Sequence, residues 1–248
     1  SSDLIMRFAR DPVAAVLPAA ERLRGDEPIV ASTAITIFVR NEPPDRVIRN
    51  LDIMLRELEA AGAANRFDLY VLSDTDKAEM AETEETHFGA LARLWHGRVP
   101  VTYRRRDVNT AFKAGNFWDF CQRWGHQHDF AVTLDTDSFM TAAAILRLVR
   151  LIQSDSKLGI LQGLVVGLPS TSAFARIFQF GMRLGMRSWT IGSAWWQADC
   201  GPYWGHNAAI RLKPFIAHCH LPMLPGTGVL RSEEHTSELQ SRGLISYA

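Results

Sequence analysis

The feature that most constrains this chain is a repeated alternation of strand-like and helix-like segments. Runs of apolar and β-branched residues of strand length are followed by segments with apolar residues at helical spacing. The strand-like runs cover 34–39, 67–72, 99–104, 130–134 and 159–166, and the helix-like segments cover 47–58, 78–94, 113–124 and 142–153. This alternation predicts an α/β fold with a mostly parallel sheet flanked by helices and with ligands at the carboxyl ends of the strands.

Length and composition favour a single domain. The 248 residues, 47% of them hydrophobic, are enough for the core of one α/β domain, which we assign to 33–230 after a lead-in segment at 1–32. Lysine and arginine balance aspartate and glutamate at 27 each, so we expect no nucleic-acid partner. Three widely separated cysteines favour a reducing compartment and hence the cytoplasmic side.

The end of the sequence departs from the α/β pattern that precedes it. The stretch 231–241, RSEEHTSELQS, reads like the translation of a sequencing-library adapter, although its composition also allows a natural polar tail. We therefore interpret 231–248 as an adapter-derived tail outside the predicted domain. No secretory signal is predicted, and the most apolar stretch, 158–168, is too short to span a bilayer. Any membrane-spanning helices are expected outside this sequence.

Two carboxylates close the fourth strand-like run as Asp135-Thr136-Asp137. Mg²⁺ and Mn²⁺ are commonly held by one or two carboxylates together with phosphate oxygens, so the pair is a candidate metal site for a diphosphate. A helix N-cap is the alternative, since aspartate is a favoured capping residue. The motif alone leaves both interpretations open.

Other polar residues begin a predicted helix or follow a predicted strand. Lys113 and Asn116 open a helix, where backbone N–H groups favour a phosphate, and Asn41, Glu42 and Asp74 follow the first two strands, where they can meet a uracil or ribose. A solvated lysine and turn or capping residues are the alternatives for each position taken singly. Their joint occurrence favours one ligand site, which the arginine run 104–106 would flank.

Five motifs carry a specific resemblance over 32–226. They are FVRNEP, LSDTD, YRRRDVNTAFKAGNFWDFCQRWG, VTLDTDSFM and YWGHNAAIRLKPFIAHC. With them the sequence resembles the glucans biosynthesis glucosyltransferase H family, bacterial inner-membrane enzymes of glycosyltransferase family 2 that are related to cellulose synthases. The resemblance implies a GT-A (Rossmann-like) nucleotide-diphospho-sugar transferase fold. It also implies an inverting, metal-dependent transfer from UDP-glucose to a growing β-glucan, the backbone of osmoregulated periplasmic glucans.

The same resemblance implies roles for individual residues. Glu42 and Asp74 would contact the uridine, Lys113 the diphosphate, and Asp135 with Asp137 the metal, Mg²⁺ or Mn²⁺, and the sugar diphosphate. The motif that contains Trp204, His206 and Asn207 falls where family 2 enzymes line the donor sugar and the acceptor end. A tryptophan face and imidazole or amide hydrogen bonds suit a carbohydrate, although a structural histidine is the alternative.

The sequence also lacks features that members of this family carry. An acidic motif that supplies the general base and an arginine-tryptophan motif are not found before Leu230, and the spanning helices are missing. We therefore expect a GT-A domain incomplete at its C-terminus, with the catalytic base beyond Leu230 and no glucose transfer by this chain alone. Asp199 is predicted to be structural. The alternatives are another processive family 2 synthase, or a sugar-nucleotide-binding module without catalysis.

The segment 174–196 mixes aromatic residues with three arginines. Such a mixture can lie in a bilayer interface with arginines toward anionic head groups, and burial against another part of the protein is the alternative. Gly181, Gly185 and Gly192 are predicted to weaken any single long helix there.

Overall fold

A computed structural model of the chain describes residues 11–167, 169–198 and 200–220, and the backbone of 223–224, 228–229 and 245–247. The strands are β1 (Thr33–Val39), β2 (Phe67–Ser73), β3 (Val101–Arg105), β4 (Phe130–Asp135), β5 (Ile160–Gln162), β6 (Ala208–Arg211), β7 (Met223–Leu224), β8 (Gly228–Val229) and β9 (Ile245–Tyr247). The helices are α1 (Pro12–Val16), α2 (Ala19–Arg22), α3 (Pro44–Ala60), α4 (Ala78–Trp95), α5 (Phe112–Trp124), α6 (Ala142–Ser154), α7 (Ala173–Gln197) and α8 (Leu212–His218), with 3₁₀ turns at Ala64–Arg66 and Gly125–Gln127.

One mixed sheet organises the described residues, with the strand order β3-β2-β1-β4-β6-β5-β9. β1 pairs in parallel with β2 and β4, and β2 pairs in parallel with β3. β6 runs antiparallel to both β4 and β5. The carboxyl ends of β1, β2 and β4 therefore meet at one edge, and the predicted α/β fold with a mostly parallel sheet flanked by helices is confirmed.

Alternation along β1 explains why helices cover both faces of the sheet. Ile35 and Ile37 point into a core shared with α3, α4 and α6, whereas Ala34 packs on the other side against residues of α5. Pro44 stands in the first turn of α3, because that position needs no backbone donor.

Two predicted elements differ from the structure. β5 ends at Gln162 although its apolar run continues to 166. The Gly163 amide still donates to the Asn207 carbonyl, but Asn207 leaves the extended conformation with a φ of +52° and its own amide donates to Thr133 of β4. β6 lies inside the YWGHNAAIR motif and was not predicted as a strand. The antiparallel pairing of β6 makes the sheet mixed.

The lead-in segment at the start of the chain packs against the core. Leu17 and Ala19 of the lead-in segment are buried in the core shared with β1. The predicted adapter-derived tail, 231–248, lies outside the described residues except for the backbone of β9, which pairs in parallel with β5.

Helix α7 runs as one helix through all three of its glycines, so the weakening expected from them does not break it. Glycine costs about 1 kcal/mol relative to alanine inside a helix, but it keeps its N–H and carbonyl for the helical hydrogen bonds. The helix also begins with a favourable cap, since the Ser172 hydroxyl accepts from the Ala175 amide. In the described part of the chain, no helix combines the length and the hydropathy that crossing a bilayer requires.

Candidate functional site

A pocket of about 440 Å³ lies where the carboxyl ends of β1, β2 and β4 meet the start of α5. It is lined by Phe38, Val39, Arg40, Glu42, Asp74, Asn109, Phe112, Lys113, Asn116, Asp135, Thr136 and Asp137. Six of the residues predicted from sequence are in this lining: Glu42, Asp74, Lys113, Asn116, Asp135 and Asp137. The topology thus brings together residues that are up to about a hundred positions apart, as expected for strand ends in an α/β sheet.

Asp135 and Asp137 stand at the end of β4 and in the turn that follows. The ammonium of Lys113 forms an ion pair with the Asp135 carboxylate, and the same ammonium lies 4.9 Å from the centre of the Phe38 ring. The helix-capping alternative for this motif is wrong, because Thr141 is the N-cap of α6 and its side chain accepts from the Ala144 amide.

The carboxylate pair has the chemistry of a partial metal site. Asp135 and Asp137 both line the pocket, which has room for phosphate oxygens beside them. Mg²⁺ usually takes one or two carboxylates and completes its shell with water and substrate oxygens. Among the described residues no group of three histidine, cysteine or acidic side chains could hold a metal by itself. The donor set therefore fits a metal that binds together with a diphosphate.

Asp74 is held by a bidentate ion pair. The Nε and a terminal nitrogen of Arg106 donate to its two carboxylate oxygens at 2.7 and 2.8 Å, and the two side chains are only 7% and 10% exposed. Arg106 also donates to the carbonyls of Thr110 and Phe112, each at 3.0 Å. These bonds support a backbone in which Phe112 has a φ of +49°, a conformation that non-glycine residues rarely adopt.

Of the arginine run, Arg104 points inward instead of toward a ligand. It donates to the Asn116 carbonyl at 3.3 Å and lies 3.0 Å from a carboxylate oxygen of Asp119. Burial lowers the pKa of Arg104 to about 10, although the Asp119 carboxylate acts in the opposite direction. Asn116 is also buried, and its amide donates to the Leu72 carbonyl at the end of β2. Arg105 is exposed, so the three arginines of the run lie in three different environments.

Asn41 joins the loops after β1 and β2 and is not in the pocket lining. Its amide nitrogen donates to Asp76 at 2.7 Å, its side-chain oxygen accepts from the Lys77 backbone at 3.2 Å, and its own backbone N–H donates to the Thr75 hydroxyl at 2.8 Å. With a φ of +54°, Asn41 adopts a turn conformation that asparagine tolerates better than most residues. Its neighbour Glu42 is exposed at the pocket edge.

The segment of Trp204, His206 and Asn207 adjoins the pocket without lining it. The Asn207 backbone N–H donates to the Thr133 carbonyl of β4 at 2.7 Å, and its side chain reaches the Ser138 hydroxyl at 3.5 Å, one residue after Asp137. His206 lies beside the Asn207 side chain at 3.2 Å, and Trp204 remains half-exposed. Asp199, which was predicted to be structural, lies outside the described residues.

Sequence reasoning missed Arg106 as the partner of Asp74 and Glu84 as a buried acid behind the pocket. A signal for Glu84 exists, because it shares a helical face with Ala81, Phe88 and Leu91. An acid in an apolar stripe is a buried polar group that needs partners. For Arg106 the three consecutive arginines gave no such distinction.

Comparison with known proteins gives relatives over most of the chain. Proteins called glucans biosynthesis glucosyltransferase H are 39% identical over 206 residues in Pseudomonas aeruginosa and in Klebsiella pneumoniae, and 38% identical in Dickeya dadantii. The match covers 82% of this chain but 24% of each relative, so the chain spans about a quarter of the length of these relatives. No family model matches the chain.

A solved structure shares the fold. The mannosyltransferase PcManGT from Pyrobaculum calidifontis, solved in complex with GDP-Man and Mn²⁺, superposes with a TM-score of 0.58 at 13% sequence identity. The match covers 96% of this chain and 64% of the mannosyltransferase. The predicted GT-A type of fold is thereby confirmed.

Proposed function

Over 82% of its length the chain is a homologue of the glucans biosynthesis glucosyltransferases H, and on this premise we propose that it binds UDP-glucose as the donor for β-glucan synthesis. The observation that carries the proposal is the pocket at the carboxyl ends of three parallel strands. Acidic groups on one side of it suit a uridine, and a lysine at a helix start suits a diphosphate.

Each group in the pocket has a proposed task. Asp74 and Glu42 accept hydrogen bonds from the uracil and ribose, while Lys113 and the first turn of α5 meet the diphosphate. Asp135 and Asp137 hold Mg²⁺ or Mn²⁺, which when bound neutralises negative charge on the departing diphosphate. The Mn²⁺ in the mannosyltransferase of the same fold supports this assignment.

Transfer itself is proposed for the whole protein. An acceptor hydroxyl attacks the anomeric carbon with inversion, and a base within hydrogen-bond reach must accept its proton. We expect that base beyond Leu230, so this chain alone should transfer no glucose. Trp204, His206 and Asn207, next to the Asp137 turn, are proposed to contact the donor sugar and the end of the glucan.

The proposal includes a location on the cytoplasmic side of the bacterial inner membrane. Helix α7 supports it, since it contains three arginines, no acidic residue and a series of exposed aromatic side chains. A helix of that composition can lie in the interface of an anionic bilayer.

Calorimetry with UDP tests the donor assignment. We expect binding in the presence of Mg²⁺ or Mn²⁺, loss of that binding with a chelator, and a decrease of about tenfold or more for Asp135→Ala and for Asp137→Ala, as for lost metal-site support. Asp26→Ala, at an exposed position, is the control that should bind like the unmodified chain. Binding that ignores both the chelator and the two substitutions would contradict the metal assignment.

A further inference from the structure

Glu84 on α4 is a carboxylate enclosed completely within the fold, with 0% of its surface exposed. Three hydroxyl groups donate to it: those of Ser73 at 2.7 Å, Thr75 at 2.5 Å and Tyr103 at 3.1 Å. Burying a carboxylate costs free energy unless hydrogen bonds replace those of water. Charge-assisted bonds of this kind are stronger than neutral ones and have restricted geometry.

The three donors place Glu84 behind the wall of the pocket. Ser73 and Thr75 flank Asp74, so both neighbours of Asp74 are fixed to one carboxylate. The Ser73 hydroxyl also accepts from the Thr75 amide at 3.1 Å, which closes the loop on itself. Glu84 therefore fixes the side chains on both sides of Asp74, in addition to the backbone bond from the Asp74 amide to the Val39 carbonyl.

The same network reaches the loop after β1. The Thr75 hydroxyl that donates to Glu84 accepts from the Asn41 amide at 2.8 Å, and Asn41 precedes the pocket residue Glu42. One buried carboxylate thus connects the two loops that present Glu42 and Asp74, while Glu84 itself is not among the lining residues.

We propose that Glu84 is a positioning residue for the nucleobase side of the pocket, acting through Ser73 and Thr75 on the direction of Asp74. This rests on the proposed function, because it assigns the Asp74 side of the pocket to the base of the nucleotide. Among the described residues, the side-chain bonds of Glu84 go to Ser73, Thr75 and Tyr103, and none of them reaches Lys113, Asp135 or Asp137 on the opposite side.

Two probes separate the sides of the pocket: UDP uses both sides, and inorganic pyrophosphate uses the diphosphate side alone. With Mg²⁺ present, Glu84→Gln should lower the affinity for UDP about tenfold. The substitution replaces one carboxylate oxygen by an amide NH₂ group, which cannot accept a hydrogen bond from the hydroxyl that faces it. Pyrophosphate affinity should change less than about twofold. Glu85→Gln, on the exposed side of the same helix, is the matched control and should change neither.

A double-mutant cycle tests whether Glu84 acts through Asp74. In an Asp74→Asn background, Glu84→Gln should cause little additional loss of UDP affinity, because the contact that it positions is already gone. Should Glu84→Gln fail to fold, Thr75→Val removes one of the three donors and should weaken UDP, again without affecting pyrophosphate. Equal losses for both probes, additive losses in the cycle, or an unchanged UDP affinity would overturn the proposal. Failure of the unmodified chain to bind UDP would instead overturn the proposed function.

Discussion

The pocket region and helix α7 differ in where their apolar side chains lie and in how their charged side chains are paired. Around the pocket, the cations Lys113 and Arg106 each meet a carboxylate, and the strands beneath have their apolar residues in the core. On α7 the buried residues are Thr190 and Ala194, whereas eight large apolar residues are exposed. The exposed set is Phe174, Ile177, Phe178, Phe180, Leu184, Trp189, Trp195 and Trp196.

This difference shows which part of the chain is held in place by contacts within the described residues. The pocket is positioned by contacts within the described residues, so its shape should persist when the chain is isolated. Contiguous exposed apolar surface of the kind on α7 marks a surface that meets a membrane or another protein. The helix should therefore contribute little to the folding of this chain and more to its associations.

Two tryptophans give the largest expected contrast. Trp95 is 0% exposed, donates to Asp52 at 3.0 Å and lies under the Arg98 guanidinium at 4.0 Å, whereas Trp196 is 87% exposed. Trp95→Ala should lower the free energy of unfolding by about 3–5 kcal/mol, because it leaves a cavity and an unpaired Asp52 oxygen. Trp196→Ala should change it by less than about 0.5 kcal/mol.

Urea denaturation of the two variants measures this contrast directly. Equal destabilisation by the two substitutions would mean that α7 is integrated into the fold of this chain. The contrast between the internally packed pocket region and the exposed helix α7 would then be wrong.

Two ion-paired arginines give a smaller contrast. The ion pair of Arg106 with Asp74 is largely buried. The ion pair of Arg187 on α7 with Asp11, at 3.0 Å, has both side chains more than half exposed. Arg106→Gln should cost about 2 kcal/mol, because it leaves a largely buried carboxylate without its cation and frees the loop before α5. Arg187→Gln should cost less than about 1 kcal/mol, as for exposed pairs in general.

Thermal unfolding at low and high salt separates the two cases. The small effect of Arg187→Gln should decrease further with salt, since exposed charges are screened, while that of Arg106→Gln should largely remain. If salt abolished the Arg106 effect, the pair would not be sheltered from solvent as the structure describes it.

The same contrast explains how much the sequence could predict. Strand-like runs and helical stripes are local patterns, and they correctly predicted β1, β2, β4, α3, α5 and α6. From the order of the strands it followed that Glu42, Asp74, Lys113 and Asp135 would meet. Those predictions depend on periodicity and on one topological rule.

What the sequence could not predict depends on tertiary contacts. Asp74 and Arg106 are 32 residues apart, and nothing in the run 104–106 distinguishes the arginine that pairs from the one that faces solvent. β6 is too short for a pattern of its own and is a strand because β4 and β5 lie on either side of it. That α7 forms one continuous helix was not predicted, because its three glycines were expected to weaken a long helix although they keep the helical hydrogen bonds.

The smallest expected effect concerns the arginines of α7 and decides what its exposed face meets. A cationic side chain close to an anionic bilayer contributes about 1 kcal/mol, so Arg176→Gln or Arg183→Gln should lower partitioning to anionic vesicles about fivefold. Arg123→Gln is the matched control, because Arg123 is also exposed but lies on α5 and pairs with Asp119. Flotation with vesicles of 30% phosphatidylserine, a composition of about physiological charge, and with neutral vesicles measures the partitioning. If the α7 arginines act through lipid charge, their replacement should matter only for anionic vesicles. Equal flotation with both kinds of vesicle, or with neither, would favour a protein partner for α7, and the exposed aromatic face would then be one half of a buried interface.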